Sequence, residues 1–129
     1  MTERSGEIVL LKELQADKNV LGKYVRVTGF VTGRNNTDQA LQLVEVSHDD
    51  ATLWVDTSLV VTSELKADAQ VQFIGEITAA TQTVRAQHGA AYQLSAKVLR
   101  IVDGLDMRLY EEALAARRQF LASVPTTVN

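Results

Sequence analysis

The chain has 129 residues, enough for one domain with a true hydrophobic core. Apolar residues make up 46% and charged residues 22%, a balance normal for a soluble globular protein, and no segment approaches the length of a membrane span. The absence of cysteine removes disulfides and thiolate chemistry, and a net charge of −3 argues against a protein that holds nucleic acid alone by broad charge neutralisation.

Along the chain, the first residues are polar and Ile8-Val9-Leu10-Leu11 is a short apolar run, so no secretory signal is expected. Residues 6–16 read as a strand entering a short helix. Residues 22–33 read as a strand, with Val25, Val27 and Val31 alternating with Tyr24, Arg26, Thr28 and Phe30, and Gly29 marks a bulge or sharp bend. A turn over residues 34–38 leads to a second alternating strand, 39–46, and Ser47-His48-Asp49-Asp50 turns the chain into a third, 51–56. Residues 58–67 read as a short helix or irregular crossing, 69–78 as a fourth strand with Gly75 at its centre, and 79–91 as a long loop or extended hairpin. Residues 92–102 form the fifth strand, Asp103-Gly104 turns, and 106–123 is a helix. The sole proline, Pro125, stands just past it as a stop.

A three-strand meander, a crossing and a hairpin is the order of an OB-fold, and glycines inside the first and fourth strands suit the coiling of a small barrel. The expected fold is therefore mainly β: a single OB-fold, a five-stranded coiled antiparallel β-barrel with a C-terminal α-helix. An SH3-like five-stranded barrel is the alternative. The domain spans 1–125, with its helix at about 105–123 and a frayed tail over 126–129.

Little in the chain suggests catalysis. His48 and His88 both fall in predicted loops, and His48-Asp49-Asp50 reads as a solvated turn, because adjacent side chains rarely converge on one ion. No catalytic residue, metal or cofactor is expected, and the segment around Arg34 lacks the spacing of a phosphate loop. Charge is unevenly spread. Lys18 to Thr37 and Ile77 to Val102 contain no acid, yet carry Lys18, Lys23, Arg26, Arg34, Arg85, Lys97 and Arg100. In an OB barrel the loop after the first strand and the loop between the fourth and fifth flank the usual binding face. A basic rim of Arg34 and Arg85, with Arg26, is thus expected on an acidic chain. Tyr24, Phe30 and Trp54 are the rings available for stacking on bases, although aromatics are only 5% of the chain. Tyr24, Arg34, Trp54, Arg85 and His88 form the candidate nucleic-acid set.

The last helix carries more apolar circumference than docking on a barrel requires. One seam runs Leu105, Leu109, Ala113, Ala116, Phe120, and the next runs Tyr110, Leu114, Arg117, Leu121, with Met107 leading into it. The first has coiled-coil-like spacing, small alanines at its middle for close helix approach, and Phe120 as an anchor. It is assigned to a partner, and Tyr110, Leu114 and Leu121 to the barrel. Asp103 or Asp106 can cap the helix start, and acids early with Arg117 and Arg118 late suit the helix dipole.

The run AKVLRIVDGLDMRLYEEALAARRQFL (96–121) resembles the C-terminal strand and helix of the Ten subunit of the telomeric CST complex, with Glu111, Ala113, Arg118 and Phe120 at matching places. Gly22 to Gly29 is similar to that family's first strand. The resemblance implies a non-catalytic OB-fold subunit, located in the nucleus at the telomeric region of the chromosome. It would bind the N-terminal OB domain of the Stn subunit through the C-terminal helix and one barrel face, at Arg26, Leu105, Leu109, Ala113, Ala116 and Phe120. The pair would join the large Ctc/Cdc-type subunit, bind single-stranded telomeric DNA, cap chromosome ends and assist fill-in synthesis by polymerase α–primase. RLYEEAL (108–114) is also similar to the smallest subunit of replication protein A, the second family considered. Residues 34–91 match neither family by motif.

Overall fold

Strands of the chain send apolar side chains inward at about every second position, valine most often, and these faces line a barrel. The computed structural model describes residues 6–35 and 43–123, with the side chains of residues 34 and 35 outside the described part. In order come β1 (Glu7–Ile8), α1 (Leu11–Ala16), β2 (Tyr24–Asn35), β3 (Leu43–His48), β4 (Ala51–Asp56), β5 (Gln70–Ala79), α2 (Gln82–His88), β6 (Tyr92–Ile101) and α3 (Met107–Ser123). The sheet order is β1-β2-β3-β4-β6-β5, and β2 also pairs with β5, which closes the five strands β2 to β6. The β4–β6 contact is parallel, with Val55 against Leu94, while β2–β3, β3–β4, β2–β5 and β5–β6 are antiparallel. This is the five-stranded OB barrel with a C-terminal helix that the strand order predicts.

The interior is made of Val25, Val27 and Val31 from β2, Val44 and Val46 from β3, Leu53 and Val55 from β4, Val71, Phe73 and Ile77 from β5, and Leu94 and Ala96 from β6. Leu11 and Leu14 of α1 pack into the same cluster. Two glycines permit close strand approaches. A Cβ on Gly75 would lie 2.0 Å from the Ser95 carbonyl oxygen, so no side chain fits there. The β5–β6 register also slips beside it, Ile74 facing Val98 and Gly75 facing Ala96, a bulge that sharpens the coil. Gly29 is paired regularly with Val71, so it is not the expected bulge; a Cβ there would meet the Ser47 carbonyl at 2.9 Å, and that close crossing is why glycine is needed.

The third predicted strand, 51–56, matches β4 residue for residue, and the predicted crossing at 58–67 is irregular, a chain of turns rather than a helix. The β3–β4 hairpin is tighter than expected. Ser47 and His48 belong to β3, and Asp49 and Asp50 alone make the turn, at φ 51° and 63°. The larger correction concerns 79–91, expected as a loop and found to contain α2. Thr81 caps it by accepting a hydrogen bond from the Val84 amide at 3.3 Å, and Gly89 ends it in the left-handed conformation at φ 66°. Its one buried residue is Val84, so the segment has no helical periodicity to read. The β2–β3 connection and the C-terminal tail, with Pro125, lie outside the described residues.

Candidate partner and nucleic-acid interfaces

α3 is held at its base by polar bonds. Asp106 caps it, its Oδ1 accepting from the amides of Arg108 and Leu109 at 3.0 and 3.2 Å. Buried Gln70 grips the approach: its amide donates to Asp103 Oδ1 and its Nε2 to the Leu105 carbonyl, each at 2.8 Å. Farther along, the Arg118 guanidinium forks onto Glu13 of α1, at 2.7 and 3.0 Å, and donates at 2.9 Å to the Ile8 carbonyl of β1. The hydrogen bond from Arg118 is the main reason the Glu13 carboxyl is held below the ordinary range, and Glu13 in turn raises Arg118. Nothing in the sequence links positions 13 and 118, and this clamp was not foreseen.

Apolar docking of α3 is slight. Among its residues only Leu114 is buried, with Met107, Tyr110 and Glu111 half-buried. Leu121, assigned to the docking seam, is exposed instead, as is Arg117 on the same line. The contact on α1 and β1 is made through Arg118 and, more loosely, through the Glu111–Lys12 pair at 3.7 Å, and the residues after Arg118 in the helix are exposed. Leu109 is 60% and Phe120 66% exposed, and Ala113 and Ala116 lie open between them, with Leu105 at the edge of the exposed class. Arg26 is half-buried on β2 opposite Ile8 of β1, with its carbonyl accepting from the Val9 amide at 3.1 Å.

A second surface forms where α2 lies over the outer face of β3 and β4. Leu43, Ala80 and Val84 make a small apolar cluster against Trp54 and Ala90. The Trp54 and His88 rings stack, centroids 3.9 Å apart and planes 21° from parallel. Beside them opens a cleft of about 410 Å³ lined by Gln15, Glu45, Trp54, His88, Gly89 and Tyr92, among others. Burial lifts the Tyr92 phenol above the ordinary tyrosine range. The fold thus brings together Trp54, Arg85 and His88 of the candidate nucleic-acid set, the last two on α2 and exposed. It separates Tyr24, which begins β2 next to the Lys23–Asp17 ion pair, while Trp54 lies near Gly33 toward the other end of that strand. Arg34 is on β2, with its side chain outside the described residues. Phe30 is partly exposed. Glu45, opposite Trp54 in the ladder, puts a carboxylate on the cleft wall, which disfavours an anion there.

A family model described as telomere-capping, CST complex subunit matches residues 2–124. The chain belongs to that family. Between the two resemblances in the sequence, this favours the CST subunit over the replication protein A subunit. The fold is similar to that of the Stn1–Ten1 complex of Schizosaccharomyces pombe, with a TM-score of 0.68, 13% identity, and coverage of 92% of this chain and 96% of that one. It is similar also to the telomere capping protein Ten1 of the same yeast, with a TM-score of 0.66, 14% identity, and coverage of 89% and 99%. An OBody bound to hen egg-white lysozyme shares the barrel, with a TM-score of 0.57, 16% identity, and coverage of 79% and 98%. No curated protein matches the chain by sequence.

Proposed function

We propose that this telomere-capping family member is a non-catalytic subunit that pairs with an Stn-type OB-fold subunit through the exposed stripe of α3. The observation that carries the reading is the imbalance on that helix: one buried side chain, Leu114, against Leu109 and Phe120 standing open on the other face. A long helix in water needs a covered apolar stripe, and a second helix laid over Ala113 and Ala116 supplies one. The fold shared with a solved Stn1–Ten1 complex supports the same partner. Leu105, Leu109, Ala113, Ala116 and Phe120 then form the interface, with Arg26 on the adjoining barrel face.

The pair joins a large Ctc/Cdc-type subunit at telomeres in the nucleus, engages single-stranded DNA within that complex, and assists polymerase α–primase. Trp54, Arg85 and His88 are this chain's contribution to the DNA surface. The acidic net charge makes that contribution small outside the complex. The test is co-expression with the Stn-type subunit. Leu109→Glu and Phe120→Glu abolish co-purification while circular dichroism of the free chain is unchanged. Retained co-purification with both variants would overturn the assignment of this stripe.

A further inference from the structure

Where α3 crosses the β3–β4 hairpin, the neighbouring His48 and Asp49 meet Glu111 from far along the chain, three side chains of metal-ligating type. His48 ends β3, Asp49 opens the turn, and Glu111 comes from the second turn of α3. His48 does not lie in a solvated turn, as its sequence context suggests; its side chain is 12% exposed. His48 Nε2 is 3.4 Å from Asp49 Oδ2 and 3.6 Å from Glu111 Oε1, and the three donor atoms all lie within 4.8 Å of one another. Among the described residues, His48 Nε2 and Glu111 Oε1 are sealed from solvent and neither has a hydrogen-bond partner.

Buried polar atoms without a hydrogen bond are costly, and here the lost water is offset among the described residues by long ion-pair contacts of 3.4–3.7 Å, to Asp49, to Lys12 and to each other. Their spacing fits an ion. Donors at about 2.0–2.1 Å from a tetrahedral Zn²⁺ stand roughly 3.3–3.4 Å from one another, and the two His48 distances are close to that edge. One imidazole nitrogen and two carboxylate oxygens select Zn²⁺ over Ca²⁺ or Mg²⁺, which prefer oxygen alone. The two carboxylates also balance the charge of the ion, and the fourth position falls to water. Lys12 Nζ, 3.7 Å from Glu111 Oε1, is on an exposed side chain free to swing outward.

We propose that His48, Asp49 and Glu111 bind one Zn²⁺ that fastens α3 to the barrel. The site does not depend on the partner reading, since it lies on the docked side of the helix. Its effect is to fix the angle at which the opposite stripe is presented.

The test uses the full chain, stripped with chelator and titrated with ZnCl₂ by calorimetry, with melting followed in parallel. One equivalent binds with a Kd below about 10 µM, and saturation raises Tm by several degrees. His48→Gln and Glu111→Gln each weaken binding by at least tenfold. Because the chain has two histidines, His88→Gln leaves His48 as the single imidazole. In that variant the His48 Nε2 nitrogen-15 resonance shifts on adding Zn²⁺, a readout that survives if the His48 or Glu111 variants fold poorly. No saturable binding up to about 100 µM, undiminished binding by both Gln variants, or a silent His48 resonance would each overturn the site.

Discussion

Strands β2 to β6 and helix α3 spend apolar residues in opposite directions. The strands turn Val25, Val27, Val44, Val55, Val71, Phe73, Ile77 and Leu94 wholly inward, and the barrel is complete without the helix. α3 turns one residue inward, Leu114, and is otherwise held by a capping aspartate, by Gln70 at its base and by the Arg118–Glu13 fork. The barrel is therefore stabilised mainly by burial and the helix mainly by polar bonds, at its start and at Arg118. Apolar surface so weakly used by the chain itself remains available to another chain.

The contrast is broken most forcefully from the barrel side. Phe73 is the largest fully buried side chain, and Phe73→Ala should cost about 3–5 kcal/mol of unfolding free energy in a denaturant titration. A loss below about 1 kcal/mol would mean the barrel core is looser than its packing indicates. The two faces of α3 give the next effect. Leu114→Ala should cost about 2 kcal/mol, whereas Leu109→Ala should change the free chain by no more than about 0.5 kcal/mol. With an Stn-type partner present, the order reverses: Leu109→Ala weakens binding more than Leu114→Ala does. Equal effects on the free chain would remove the distinction between a docked and an open face.

The smallest effect is the acid side of the Arg118–Glu13 pair. The folded-state pKa of Glu13 is depressed, so its contribution is full above the ordinary glutamate value of 4.5 and is lost as pH falls through the lower folded value. Both side chains are more than a third exposed, at 43% and 38%, so solvent screening keeps the contribution to about 0.5 kcal/mol. Glu13→Gln should flatten that part of the stability-against-pH curve below pH 4.5 and leave its neutral arm little changed. An unaltered acid slope in the variant would mean that other carboxylates carry it.

The difference between barrel and helix also explains what could be read in advance. Period-two alternation of apolar residues marks β2 (Val25, Val27) and β4 (Ala51, Leu53, Val55) because burial on one face is their main requirement, and β4 was legible to the residue. α2 left no such trace. It buries Val84 alone, and its marks are Thr81 and Gly89, a cap and a stop seven helical residues apart that are easily read as loop residues. For α3 the existence of two faces was legible, but the extent of docking was not. Leu121 lies on the same line as Leu114 and stays exposed, because the barrel surface ends before the helix does and Arg118 makes the last contact. The His48–Glu111 meeting was equally hidden. One partner lies in a hairpin and the other on a helix far along the chain, and local spacing says nothing about a junction made by tertiary packing.

Trp54 is the chain's one tryptophan, and its indole is stacked against the imidazole that ends α2. Tryptophan emission from this protein, excited at wavelengths its three tyrosines do not absorb, is therefore the signal of a single ring pair beside one cleft. At 3.9 Å between centroids the rings leave no room for a third, so a nucleobase seated between them must first part them and carry His88 away on its short helix. The emission of the unlabelled chain thus works as a built-in gauge of whether that cleft is closed on itself or open to a strand.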